Sequence, residues 1–169
     1  MNENEGPVRI LFVCLGNICR SPTAQGVAEQ EISRRGLQGR VEVDSAGTGS
    51  WHIGSPPDRR AVHAAADRGI DLSRQRARQV HFDDFHRFDF IMAMDEANFR
   101  DLVSMAPAGA TQKVSKVLTY SDLGVAEDVP DPYYGGSHGF EQVLDLLENA
   151  LGLFFDQLNM DHASGQGAR

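Results

Sequence analysis

The stretch Val8-Arg9-Ile10-Leu11-Phe12-Val13-Cys14-Leu15-Gly16-Asn17-Ile18-Cys19-Arg20-Ser21-Pro22-Thr23-Ala24 changes character twice. Its first part, Val8 to Cys14, is apolar and rich in branched residues, as a strand buried on both faces requires. A turn-like piece with one glycine comes next, from Leu15 to Arg20. Ser21-Pro22 then opens a helix, because proline suits a first helical turn. Ala24, Val27, Ala28 and Ile32 keep helical spacing to about Arg34. Strand, tight loop and helix together form the repeating unit of a parallel α/β sheet.

The rest of the chain continues the alternation. Val41–Ala46 reads as a second strand, trailed by a glycine- and proline-rich loop, Gly47–Pro57. Asp58–Arg68 predicts a helix stopped by Gly69, and Ser73–Val80 a further short helix. Phe88–Met94 predicts a third strand, with Asp95 capping a helix to about Ser104. Val114–Leu118 predicts a fourth strand. Asp128–Gly136 is a loop. Ser137 to about Met160 predicts the last helix, with Phe140, Val143, Leu144, Leu147, Leu151 and Phe155 on one face. The fold class that results is α/β: a three-layer sandwich, a central four-stranded parallel sheet with helices on both faces. A single domain, 1–169, is expected, with its core over about 8–160 and flexible ends at 1–7 and 161–169. In such sheets ligands bind at the carboxyl ends of the strands. Cys14, the Gly47–Ser55 loop and Asp95 all fall there.

Composition narrows the partners. A net charge of −8 supplies no broad positive face, which argues against nucleic acid. No apolar run approaches the roughly 18–20 residues of a membrane span, and no secretory signal pattern precedes Val8. The expected location is the cytoplasm. Cys14 and Cys19 are the two cysteines of the chain. They are too few for a disulfide scaffold or a cysteine-rich zinc site, which leaves a functional thiol in a reducing compartment. No metal or other cofactor is called for.

The Cys14–Arg20 loop reads as an anion cradle. A tight turn between strand and helix points successive backbone N–H groups inward, and the helix start adds its positive end. Arg20 can grip two phosphate oxygens with its planar fork. The same field favours Cys14 as a thiolate, the nucleophilic form. Gly16 is expected to take a backbone conformation closed to other residues, and Asn17 to bond the loop and hold its shape. Ser21 is placed to donate to the sulfur. The loop lacks the Gly-Lys-Ser/Thr ending of a nucleotide P-loop and the three-glycine dinucleotide fingerprint. Phosphoryl transfer to sulfur also needs an acid for the leaving oxygen. Asp131, in Asp131-Pro132-Tyr133-Tyr134-Gly135-Gly136, is the candidate; the Asp-Pro pair also reads as a plain turn, and Asp128 competes for the role.

With those residues in view, Val13–Ala24 closely resembles the signature of the low-molecular-weight protein tyrosine phosphatases. The similarity runs on through Asp44–Thr48, Trp51–Gly54, Ala77–Gln79, Met94–Asn98 and Asp131–Tyr133, and so covers roughly Val8 to Met160. The resemblance implies a two-step hydrolysis of protein phosphotyrosine and small aryl phosphates. Cys14 takes the phosphoryl group, Arg20 clamps it, and Asp131 serves as acid and then as base. Leu15, Gly16, Asn17, Ile18 and Cys19 complete the phosphate loop, and Asn17, Ser21 and Ser45 hold it in shape. Gln75 stands where many relatives carry a histidine. Trp51 on one side and Tyr133 and Tyr134 on the other are implied as the substrate walls. Cys19 is implied as a redox partner of Cys14. Free phosphate, as product, is expected to compete for the loop. Related arsenate reductases use the same kind of loop but need further cysteines, or an external thiol, which makes arsenate reduction the alternative.

Overall fold

The computed structural model describes residues 6–123, 128–133, 135–136 and 138–167, with side chains as far as Leu158. Strand β1 is Val8–Cys14 and β2 is Val41–Gly47; β3 is Phe90–Ala93 and β4 is Val114–Lys116. All pair in parallel, in the order β2-β1-β3-β4. The α-helices are α1 (Arg20–Arg34), α2 (Arg59–Ala66), α3 (Asp84–Arg87), α4 (Glu96–Met105) and α5 (His138–Gly167).

Why β1 is apolar at every position is visible in its packing. Ile10 and Phe12 point into one core with α1, α2 and α5. Leu11 and Val13 point the other way, into a second core with Phe85, Phe88 and Leu102 of the α3–α4 side. Successive strand residues face opposite sides, so a central strand in a three-layer fold must be apolar throughout. Burying a side chain such as Phe12 or Phe155, both fully enclosed, stabilises by about 1.5–3 kcal/mol each before entropy is charged.

The chain leaves β1 for β2 on one side and later returns to pair β3 on its other side. That reversal opens a crevice past the carboxyl end of β1. Leu15–Cys19 fills this position.

Several boundaries differ from expectation. Ser73–Val80 is not helical. After a turn at Ser73–Arg74 the chain passes beside the end of β2 and bridges it in parallel at Gly47–Gln79, with Gly47 N–H donating to Arg78 O and Val80 N–H donating to Gly47 O at 2.8 Å each. An open sheet edge offers these groups partners that a short isolated helix lacks. Phe88 ends α3 instead of starting β3, and its ring joins the second core. Beyond Lys116 the chain tightens into a 3-10 turn, Val117–Tyr120. Helix α5 continues to Gly167, past Met160. Asp95 does cap α4, its Oδ1 accepting from Asn98 N–H at 2.8 Å.

Candidate active site

Cys14 ends β1 and is 3% exposed. It lies on the floor of a cavity of about 420 Å³, among Leu15, Gly16, Ile18, Cys19 and Arg20. Asn17 N–H donates to Cys14 Sγ at 3.3 Å, and Ser21 Oγ is 3.0 Å from the same sulfur. Helix α1 begins at Arg20 without a side-chain cap from Cys19; Pro22 has no N–H and Thr23 N–H donates to Cys19 O at 3.3 Å, which leaves the helix start to meet an anion through Arg20 and Ser21.

The left-handed residue of the loop is Asn17, with φ 56°, and not Gly16. Asparagine tolerates this region because its amide bonds nearby groups. Asn17 Nδ2 donates to Ser21 Oγ at 2.8 Å and to Ser45 Oγ at 3.0 Å, while Oδ1 accepts from Arg78 N–H at 2.9 Å. Gly16 lies close under the His52 ring instead: a Cβ there would sit 3.0 Å from it, and the ring would have to shift to admit one. Gly47 is tighter still, because a Cβ would come within 2.6 Å of Leu15 O.

Behind the loop, Ser45 Oγ lies 3.3 Å from Gln75 Oε1 and donates to Gln25 Oε1 at 2.8 Å. Gln75 Nε2 is anchored on Pro22 O at 2.9 Å. Gln25 and Arg78 were not foreseen as loop supports. The non-helical 73–80 segment brings Arg78 to Asn17, and ion pairs of its guanidinium with Asp44 and with the buried Asp84 hold it there. No local pattern announces either contact.

Arg20 is buried, which works against its charge. Cys14, Asp95 and Asp131 outweigh the burial and hold its pKa above the ordinary arginine value. Nη1 donates to Asp95 Oδ2 at 2.7 Å and to Val129 O at 3.0 Å. Asp95 thus has a second task, fixing the arginine, for which its place just after β3 was the sole sequence signal.

Asp131 lines the cavity with Oδ2 3.8 Å from Arg20 Nη2. Its Oδ1 accepts from Tyr133 N–H at 3.0 Å, closing a small turn. Asp128 is turned elsewhere, accepting from Glu96 N–H at 3.1 Å and pairing with Lys116 at 3.4 Å. Trp51 and Tyr133 stand at the mouth, with Trp51 72% exposed. Gly49 makes room for the indole: a Cβ there would overlap it at 1.9 Å. His52 also lines the cavity and was not foreseen. Tyr134 lies outside the described residues. Cys19 lines the cavity too, and its thiol is pushed up to about 12 by burial and then by Asp58, Cys14 and Asp131.

Comparison with known proteins finds a family for nearly the whole chain. The family model described as low molecular weight phosphotyrosine protein phosphatase matches residues 9–164. A Synechocystis protein named as a putative low molecular weight protein-tyrosine-phosphatase is 44% identical over 155 residues, covering 91% of this chain and 98% of its own. The low molecular weight phosphotyrosine protein phosphatase of Schizosaccharomyces pombe is 43% identical over 149 residues, covering 85% and 95%. A crystal structure of protein tyrosine phosphatase from Entamoeba histolytica superposes with a TM-score of 0.88 at 39% identity, covering 92% of this chain and 99% of that one. A family match over residues 9–164, together with relatives 43–44% identical over most of both chains, places the chain in the low molecular weight phosphotyrosine protein phosphatase family.

Proposed function

We propose that this chain hydrolyses phosphotyrosine in proteins, and small aryl phosphates, through a phosphocysteine on Cys14. The observation that carries the reading is the cavity itself. A sulfur on its floor faces one arginine and one carboxylate, and aromatic side chains stand at its mouth. An aryl phosphate entering phosphate-first lies between Trp51 and Tyr133. A shorter phosphoserine does not carry its phosphorus as far down.

In the first step Cys14 Sγ bonds to phosphorus and the P–O bond to the ring breaks. Asp131 gives its proton to the leaving phenolic oxygen. Because Arg20 Nη1 is held by Asp95 and Val129, the phosphoryl oxygens meet the Nε and Nη2 edge of the fork. The loop N–H groups and the start of α1 take the remaining negative charge. In the second step Asp131, now a carboxylate, accepts a proton from water as its oxygen bonds to phosphorus. The S–P bond breaks, and Ser21 donates to the departing thiolate. Phosphate is left in the cradle, where it competes with substrate. Among the described residues no helix is long and apolar enough to cross a membrane, and both cysteines are free thiols, in keeping with work in the reducing cytoplasm. Arsenate reduction is the lesser reading, since it leaves the aromatic walls without a task and needs an external thiol.

Replacing Asp131 with alanine tests the division of labour. The loss in kcat/KM should reach about 10²–10⁴-fold for phenyl phosphate and be much smaller for para-nitrophenyl phosphate, whose leaving oxygen needs less help. Equal losses would remove Asp131 from the acid role. The Cys14→Ser variant should retain phosphate binding without turnover.

A further inference from the structure

Arg60 contributes no atom to the phosphate cradle, yet it joins the two halves of the site. Its Nε and Nη2 fork onto Asp58 at 3.0 and 2.9 Å. Nη2 also donates to Tyr133 O at 3.0 Å. The guanidinium lies 5.6 Å from the centre of the Tyr133 ring and 4.9 Å from that of Phe140. Asp58 is itself fixed on the phosphate loop, its N–H donating to Ile18 O at 2.8 Å. Tyr133 N–H in turn donates to Asp131 Oδ1. An unbroken chain therefore runs from Ile18 through Asp58, Arg60 and the Tyr133 backbone to the carboxylate of Asp131. The other end of the acid loop is tied at Val129, whose N–H donates to Met94 O and whose carbonyl accepts from Arg20.

We propose that Arg60 is a positioning residue that sets the height of the Asp131 carboxyl and of the Tyr133 wall above Cys14. The inference rests on the reading of Asp131 as the acid. Arg60 is 46% exposed on its side chain, and pairs at that exposure add little to folding. What its fork supplies is direction: one planar group fixes a carboxylate, a carbonyl and two rings at once. Lysine, with one ammonium, cannot span them all.

The test is a cycle of Arg60→Gln, Asp131→Ala and the double variant, with Arg60→Lys alongside. Each is assayed for kcat/KM on phenyl phosphate and para-nitrophenyl phosphate and for its thermal midpoint. Arg60→Gln should lower kcat/KM on phenyl phosphate by about ten- to a hundredfold, the scale of an ångström-sized misplacement. The loss on para-nitrophenyl phosphate should be clearly smaller, and the midpoint should fall by no more than the small amount a partly exposed ion pair supplies. Arg60→Lys should fall between Arg60→Gln and the parent. In the Asp131→Ala background Arg60→Gln should cost little more. Equal losses on both substrates, or the same loss with and without Asp131, would overturn the proposal while leaving Asp131 as the acid. A flat leaving-group dependence for Asp131→Ala alone would instead overturn the acid reading, and this proposal with it.

Discussion

Cys14 and Cys19 have the same side chain and opposite surroundings. Cys14 Sγ receives the Asn17 N–H and faces the Ser21 hydroxyl. Cys19 is enclosed and faces carboxylates, and its thiol titrates near 12. One sulfur should therefore react far ahead of the other. Brief treatment with iodoacetate near neutral pH should label Cys14 and spare Cys19, as read by peptide mass. Preferential labelling of Cys19 would contradict the placement. Linkage sets the sign for stability. The folded value for Cys19 is raised above the unfolded one, so its contribution is complete below about 8.5 and is lost as pH rises toward 12. Chemical denaturation between those limits should show falling stability that Cys19→Ser reduces. Asn17 makes a related point. With its backbone at φ 56°, its amide joins the nearby Ser21 and also Ser45 and Arg78, so the Cys14–Arg20 loop depends on partners from two distant parts of the chain.

At the scale of elements, the Cys14–Arg20 loop is held by close backbone approach as much as by side chains. The end of β2 lies against it, and Gly47 is where the two meet. Gly47→Ala would drive a methyl to within 2.6 Å of Leu15 O and 3.2 Å of Asn17 N. Backbone on both sides cannot yield as a side chain would. The expected cost is about 1–3 kcal/mol of stability, measured by urea denaturation, with a drop in kcat/KM on aryl phosphates because the cradle itself shifts. Gly152→Ala in α5 is the control. Nothing lies within 4 Å of its Cβ, and helix propensity favours alanine there by up to about 1 kcal/mol. If the two variants behave alike, the close approach of β2 to the loop is not what requires Gly47.

At the scale of the whole molecule, ion pairs tie together elements that the sheet does not join. Arg68, after α2, pairs with Glu141, Asp145 and Glu148 on α5. Arg35, after α1, pairs with Asp156, and Lys116 links Glu96 to Asp128. Asp58 and Glu96 are held below their ordinary values, in each case first by a side-chain bond to a cation, Arg60 and Lys116 respectively. Groups lowered in this way stabilise the fold above about pH 4. Their contribution is lost as pH falls through the folded values. Denaturation midpoints should therefore drop steadily below pH 4, and Asp58→Asn should make that drop shallower. An unchanged acid slope in Asp58→Asn would mean that its pairing with Arg60 adds nothing to folding.

Much of the site was legible in β1, the loop after it and the start of α1. A strand apolar on both faces, a tight loop and a helix opened by proline can be built in few ways, so Val8–Ala24, with the alternation that follows it, determined the α/β class and the position of Cys14 at a strand end, and pointed to the loop ending at Arg20 as an anion site. Local chemistry sufficed there because the contacts involved are close in sequence. The remainder needed the folded chain. Whether Ser73–Val80 was helix or edge segment, which side chain would hold Arg20, why Asp128 points away while Asp131 lines the cavity, and how Arg60 reaches Tyr133 all depend on residues separated by many positions. Only the tertiary structure decided them, because an open sheet edge and a buried guanidinium select their partners by position in space, and hydrophobic periodicity carries no record of that choice.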